Sequence, residues 1–212
     1  MTETTRVEAF SDGVLAIAIT LLVLELRPPQ GEPGHLARGL LEEWPSFTAY
    51  VVSFLVIGVM WVNHHALFKT IATVDRMLMF LNLLLLMTIA VIPFPTAVVA
   101  ANLNGDPTDA RAAAVLYSAV SLLVAFAFTA VRMWSLAHPH LLVPGFDVAA
   151  AKAARRHWQF YLGTITYALL IGVALVSPIA CMLGHLLMAL YYVIDRLPTP
   201  ADDGVDAGHE AV

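Results

Sequence analysis

The chain has 212 residues, 59% of them hydrophobic and only 13% charged, and its 16 Asp plus Glu outnumber 11 Lys plus Arg for a net charge of −5. A soluble domain carries roughly 25% charge, so with a mean hydropathy of +0.78 this chain lacks the polar groups to cover a water-exposed surface. That excludes a soluble enzyme, a disordered chain and, with no basic face, a nucleic-acid binder, and leaves an all-α integral membrane protein.

A membrane-crossing helix needs about 20 mostly apolar residues, and six stretches meet or approach that length. The first runs from about Val7 to Leu26. Glu3, Glu8 and a lone Arg6 lead into it in place of a basic run, and Leu-Arg-Pro-Pro closes it with no small-residue cleavage site. It therefore reads as a retained helix and not as a signal peptide. The stretch Arg27-Pro-Pro-Gln-Gly-Glu-Pro-Gly is rich in turn residues, and His35 to Trp44 suits a short interfacial helix.

The second span is expected from Trp44 to Phe68 and the third from Arg76 to Ala100. Ile92-Pro-Phe-Pro-Thr96 should kink or open the third near its outer end. The fourth span is expected from Arg111 to Leu136, followed by a loop from His138 to His157 in which Pro139, Pro144 and Gly145 break helix. The fifth runs from Trp158 to Val176 and the sixth, short for a full crossing, from about Ile179 to Ile194, with Ser177-Pro178 between them. Residues 1–197 thus form one transmembrane domain, and the acidic tail 198–212, with Asp202, Asp203, Asp206 and Glu210 and no apolar face, is expected to be disordered.

Loop charges set the expected orientation. With six spans, Arg6, Lys69, Arg76, Arg132, Lys152, Arg155, Arg156 and Arg196 fall on one side and Arg27, Arg38 and Arg111 on the other. That bias places both termini in the cytoplasm, and the plasma (inner) membrane is the expected bilayer.

The first helix carries the unusual polar residues. Arg6, Phe10, Ser11 and Asp12 stand at its entrance, and beyond them Thr20 interrupts an apolar run. Asp12 lies about 9 Å deeper than Arg6 along the axis, where an ionisable group is costly unless paired or wetted. Two readings follow: part of an ion path or gate, or a structural partner for another helix. Arg6 and Asp12 do not share a helix face, so their partners should come from neighbouring helices.

His64 and His65 near the end of the second span are candidates for pairing with Asp12. As adjacent residues they point to different faces and cannot together hold one metal unaided, and the plainer reading is one buried, hydrogen-bonded histidine beside an interfacial one. His185 is a lone histidine suited to a polar contact. Asn82 interrupts the third span, while Ser118, Ser121, Gly163, Thr164 and Thr166 are small residues of the kind that mark helix–helix contacts. The single cysteine, Cys181, excludes an intrachain disulfide framework and a Cys-based metal site. No phosphate-binding, zinc-protease or dinucleotide motif and no internal repeat is present, so neither an enzyme nor a bound cofactor is expected.

The run Arg6-Val-Glu-Ala-Phe10-Ser11-Asp12-Gly-Val-Leu-Ala-Ile17-Ala-Ile-Thr20-Leu21-Leu-Val-Leu24 closely resembles the bacterial branch of the transmembrane protein 175 family, relatives of the lysosomal potassium channel of animals. Trp61-x-x-His64-His65-x-Leu67-Phe68 and Pro93-Phe94-x-Thr96 resemble that family's second and third helices. The resemblance implies a potassium-selective channel without a Thr-Val-Gly-Tyr-Gly filter, built as a homotetramer in the bilayer with the first helix of each subunit lining one pore. By distance from Phe-Ser-Asp, it places apolar constriction rings at Ile17, Leu21 and Leu24 and a polar ring at Thr20. It also implies a structural network of Arg6, Phe10, Ser11, Asp12, His64 and His65 that holds the pore helix, with K+ passing through and no resident metal.

On a helical wheel Ile17, Leu21 and Leu24 fall within about 60° of one another with Thr20 beside them, and Asp12 falls about 140° from Ile17. One stripe can therefore face one axis. The helix is apolar nearly all round, however, so periodicity alone does not separate a pore face from a lipid face. Two other readings stay open: a proton-coupled transporter or proton-conducting channel using Asp12, His64 and His65, and a membrane enzyme or haem bundle, which lacks paired ligands.

Overall fold

The computed structural model describes residues 3–29, 34–154 and 161–194. The expected start of the fifth span at Trp158, the loop residues Arg155, Arg156 and His157, the charge at Arg196 and the tail 198–212 lie outside the described residues. What is described is all helix apart from one isolated antiparallel bridge between Ile71 and Leu142.

The first helix, α1 (Glu3–Leu21), tightens into a 3-10 turn over Leu22–Glu25. The short α2 (Leu36–Glu42) stands where an interfacial helix was expected, its Gly39 drawn against Pro29 so closely that a Cβ there would lie 2.8 Å from the proline ring. Apolar Leu36, Leu40 and Leu41 are exposed, and Arg38 and Glu42 pair at 2.9 Å. The next helix, α3, runs from Trp44 to Phe68 with Pro45 in its first turn, as its sequence predicts.

The third span divides at the expected place. Asp75 caps α4 (Arg76–Ala90) by accepting the Leu78 N–H at 2.7 Å, and α5 (Pro93–Asn102) follows after Val91-Ile92. Pro93 and Pro95 have no N–H to give, so the helical ladder is interrupted there. Thr96 repairs part of it, its N–H and its hydroxyl both donating to the Ile92 carbonyl, at 3.1 and 2.8 Å. The buried side of α4 is Leu78, Asn82, Leu85, Leu86 and Ile89, a stripe at three- and four-residue spacing.

The fourth helix, α6 (Pro107–Ala137), begins four residues before the expected Arg111. Asp106 accepts the N–H groups of Thr108 and Asp109, and Pro107 is preset for the first helical position. Small buried Ala110, Ala113, Ala114, Ser118 and Ser121 let neighbours approach α6, which packs against α4, α5 and α8 (Leu162–Val176). The described part of the loop before α8, residues 138–154, holds more structure than its prolines imply. It holds a 3-10 turn at Pro139–Leu141 and a short helix α7 (Val148–Ala154), an alanine-rich segment capped by Asp147 on the Ala150 N–H at 2.8 Å.

After Ser177 the chain turns into α9 (Pro178–Ile194). Gly184 lets the Leu170 side chain of α8 pack directly on the α9 backbone, where a Cβ would meet its methyl group. Among the described residues four helical stretches are long and apolar enough to cross a membrane: Thr4–Glu25, Trp44–Phe68, Arg76–Asn102 and Pro107–Ala137; α8 and α9 are shorter apolar helices.

Candidate pore helix and its anchoring network

The first helix has two faces. Thr4, Ser11, Leu15, Ala18 and Leu22 are buried against the rest of the subunit, with Leu22 at 0% exposure. On the opposite side Phe10, Ile17, Leu21 and Leu24 are exposed, Ile17 at 61% and Leu24 at 68%, and Thr20 is exposed beside them. All the residues expected to form constriction rings therefore share one face that the subunit itself leaves uncovered. The 3-10 turn keeps Leu24 on it, since residues three apart eclipse in that geometry. The Thr20 hydroxyl donates to the Ile17 carbonyl at 2.9 Å, which ties its proton to the helix and leaves its oxygen lone pairs outward.

Asp12 lies off this stripe, half-buried, with Oδ1 accepting the Trp61 indole N–H at 2.9 Å. It heads a groove of about 220 Å³ between α1 and α3, otherwise lined by apolar Leu15, Ala16, Ile19 and Ile57 with Gly58. His65 is exposed and stacks on Trp61 with ring centroids 6.2 Å apart. One exposed ledge thus gathers Asp12, Trp61 and His65.

A second chain of bonds is buried. Ser11 donates to the Val7 carbonyl at 2.8 Å and accepts from Asn82 Nδ2 at 3.0 Å. The Asn82 Oδ1 faces His64 Nε2 at 2.9 Å, and His64 stacks on Phe68 at 4.4 Å. Because Asn82 spends its amine on Ser11, its oxygen must accept, which assigns the proton to His64 Nε2. Asn82 joins three helices in this way, a role the sequence reading did not give it. Its signal was present: a lone amide in a leucine-rich span needs a partner.

The structure divides the six expected network residues. Ser11 and His64 are bridged through Asn82, while Asp12 and His65 meet through Trp61. Arg6 is exposed and forms no ion pair with a described residue. Phe10 is exposed on the Ile17 stripe, outside both sets.

Elsewhere the core holds two further polar groups that the sequence reading did not assemble. Ser53 bonds Thr96 at 2.7 Å and Tyr117 at 3.0 Å. Ser118 bonds Cys181 at 3.2 Å and His185 at 3.0 Å, and the His185 Nδ1 has no partner among the described residues. No group of three or more His, Cys, Asp or Glu among the described residues is arranged to hold a metal ion.

This geometry has close relatives. The family model described as the endosomal/lysosomal potassium channel TMEM175 matches residues 6–93. A protein named as a potassium channel from Streptomyces collinus is 51% identical over 202 residues, covering 94% of this chain and 96% of the relative. Another potassium channel by name, from Chamaesiphon minutus, is 39% identical over 197 residues, covering 91% and 94%. The crystal structure of a lysosomal potassium-selective channel TMEM175 homologue from Chamaesiphon minutus matches with a TM-score of 0.79 at 37% identity, covering 91% of this chain and 97% of that one. With relatives this similar along nearly its whole length, the chain belongs to the TMEM175 family.

Proposed function

We propose that this chain conducts potassium passively across the membrane, as a homotetramer with α1 of each subunit at the central axis. One observation carries the reading: the subunit leaves Ile17, Thr20, Leu21 and Leu24 uncovered on one side of its first helix. An apolar stripe on an outer helix faces lipid, a neighbouring copy or a pore. Relatives of nearly the same length named as potassium channels favour the pore.

In this arrangement Ile17, Leu21 and Leu24 form stacked apolar rings that close the passage by dewetting and admit a partly dehydrated ion when slightly wider. Potassium sheds water more readily than sodium, so a narrow apolar passage favours it. Thr20 oxygens, with their protons committed to the Ile17 carbonyl, offer lone pairs to the ion beside the first ring. Asp12 stays off the axis and works as an anchor through Trp61. We assign α8 and α9 as the fifth and sixth crossings, both termini to the cytoplasm, and the channel to the plasma membrane.

The test is flux of K+, Rb+ and Na+ into liposomes holding the purified protein without a proton gradient. Potassium and rubidium entry well above sodium supports the channel, whereas flux that requires a proton gradient supports the transporter reading instead. For orientation, His35→Cys in a Cys181→Ser background should react with an impermeant thiol reagent from outside the cell. Labelling from the cytoplasmic side alone would reverse the topology.

A further inference from the structure

Nothing in the pore stripe explains what holds α1 at a set distance from its symmetry mates. The first turn of α1 supplies a tether. Thr4 is buried, and its hydroxyl donates to the Ala72 carbonyl at 2.8 Å, across a separation of 68 residues. Ala72 lies in the connection between α3 and α4, and that connection is not a free loop. The Ala72 and Thr73 N–H groups donate to the Leu141 carbonyl at 2.8 and 3.2 Å, and the Val143 N–H donates to the Thr70 carbonyl at 3.0 Å. Ile71, Leu141 and Leu142 are buried beneath this ladder.

The ladder is fixed at its edge by Asp75 and Trp134. The Trp134 indole N–H reaches both Asp75 oxygens, at 3.2 and 3.1 Å, while Asp75 also caps α4. Trp134 lies in the last turn of α6 that leads directly into the 139–143 segment, and His138 packs on its ring at 4.0 Å. A continuous set of hydrogen bonds therefore runs from α6, through the two paired connections, to the first turn of α1.

We propose that this clamp is a positioning device for conduction: Thr4, Asp75 and Trp134 hold the N-terminal end of α1 back onto its own subunit and so keep the constriction open. The inference rests on α1 lining the pore. Its physics is that of a lever. Ser11, held by Asn82, is the fulcrum: Thr4 lies seven residues (about 10 Å) before it and Ile17 six residues (about 9 Å) after it, so a lean of about 1 Å at the Ile17 ring displaces Thr4 by as much and breaks its bond to Ala72. Four uncovered apolar stripes gain by meeting and excluding water, and the bond on the far side of the fulcrum resists that lean. Released, α1 should lean inward at Ile17 and close the passage.

The experiment is single-channel recording of purified tetramers in planar bilayers. Thr4→Val removes the donor at nearly constant shape, Thr4→Ser restores it, and Trp134→Phe removes the indole N–H while keeping a ring at the other end of the clamp. Thr4→Val and Trp134→Phe should each lower open probability about fivefold, the net worth of one hydrogen bond, with unitary conductance and K+/Na+ preference unchanged. Thr4→Ser should behave like the unmodified channel. A role confined to folding would alter tetramer yield and leave open probability alone. Unchanged or increased open probability in an assembled Thr4→Val or Trp134→Phe channel overturns the clamp, and either variant suffices if the other fails to assemble. Ile17→Asn, recorded alongside, separates the two ideas. If it alters unitary conductance while the clamp variants do nothing, the clamp fails and the pore stands; if it does nothing, the pore assignment fails first.

Discussion

The Trp61 indole N–H donates to Asp12 Oδ1 at 2.9 Å, so the Asp12 carboxylate is directed toward α3 and away from the face that carries Ile17. A carboxylate at this depth in an apolar helix is tolerated when a donor meets it. The bond therefore joins α1 to α3 and keeps the charge off the face that carries Ile17.

From this follows an expectation about assembly. Asp12→Ala should reduce the amount of folded tetramer far more than it alters ion preference, because it strips Trp61 of its acceptor and α1 of a tie to α3. Arg6→Ala should do the same if the exposed guanidinium meets a neighbouring subunit. Size-exclusion yield and reversal potential, read on the same preparation, decide it; normal assembly with changed selectivity would place Asp12 in the pore.

Ile17 and Leu22 should respond oppositely to substitution. Ile17→Asn puts four amides into its ring, wets it, raises conductance and erodes preference for potassium over sodium. Leu22 is fully buried, so Leu22→Ala should leave selectivity intact and cost about 2–5 kcal/mol of stability, the usual range for a buried leucine truncation. Unit conductance and thermal unfolding in detergent are the two measurements, compared at equal tetramer yield.

Asn82→Leu should be destabilising despite its greater hydrophobicity. It leaves His64 Nε2 buried with no acceptor and removes the donor to Ser11, a loss of about 1–3 kcal/mol. Adding His64→Phe should recover part of that loss, since removing both partners is milder than removing one. A fall in unfolding temperature for the single variant and partial recovery in the double variant is the expected pattern.

Asp75 gives a pH dependence. Burial pushes its carboxyl up, but the Leu78 N–H, the Trp134 indole and the nearby His138 and His140 outweigh this and hold it below the usual aspartate range. A depressed folded pKa means that its stabilisation is complete above the ordinary value near about 4 and is lost as pH falls through the lower folded value. The gap in unfolding temperature between the unmodified protein and Asp75→Asn should persist at about pH 5 and shrink below about pH 4. A gap that stays undiminished down to about pH 3 would show that another group controls the site.

Span positions were legible because their ends are written in local chemistry. Pro45, the Ile92-Pro-Phe-Pro run and Ser177-Pro178 mark boundaries that the structure keeps. Asp106-Pro107 is the same kind of signal, and the fourth span was placed too short because apolar content outweighed that cap. The faces of α1 were harder to read. Leu21 and Leu22 are identical residues, one exposed and one fully buried, and hydropathy has no means of telling them apart. Leu22 shares the buried face with Ser11, which meets Asn82 71 residues away, and Leu21 does not. The ladder between 70–73 and 141–143 was equally invisible, since its bonds are made by backbone groups that every sequence carries.

The tightening of α1 at Leu22–Glu25 has a metric consequence. From Ile17 to Leu21 four α-helical steps advance about 6 Å, and from Leu21 to Leu24 three 3-10 steps advance nearly the same distance. A uniform α-helix would have crowded the last pair to about 4.5 Å. The three side chains are therefore evenly pitched, each interval about two water molecules deep. In the proposed tetramer the rings at Ile17, Leu21 and Leu24 are evenly spaced over about 12 Å.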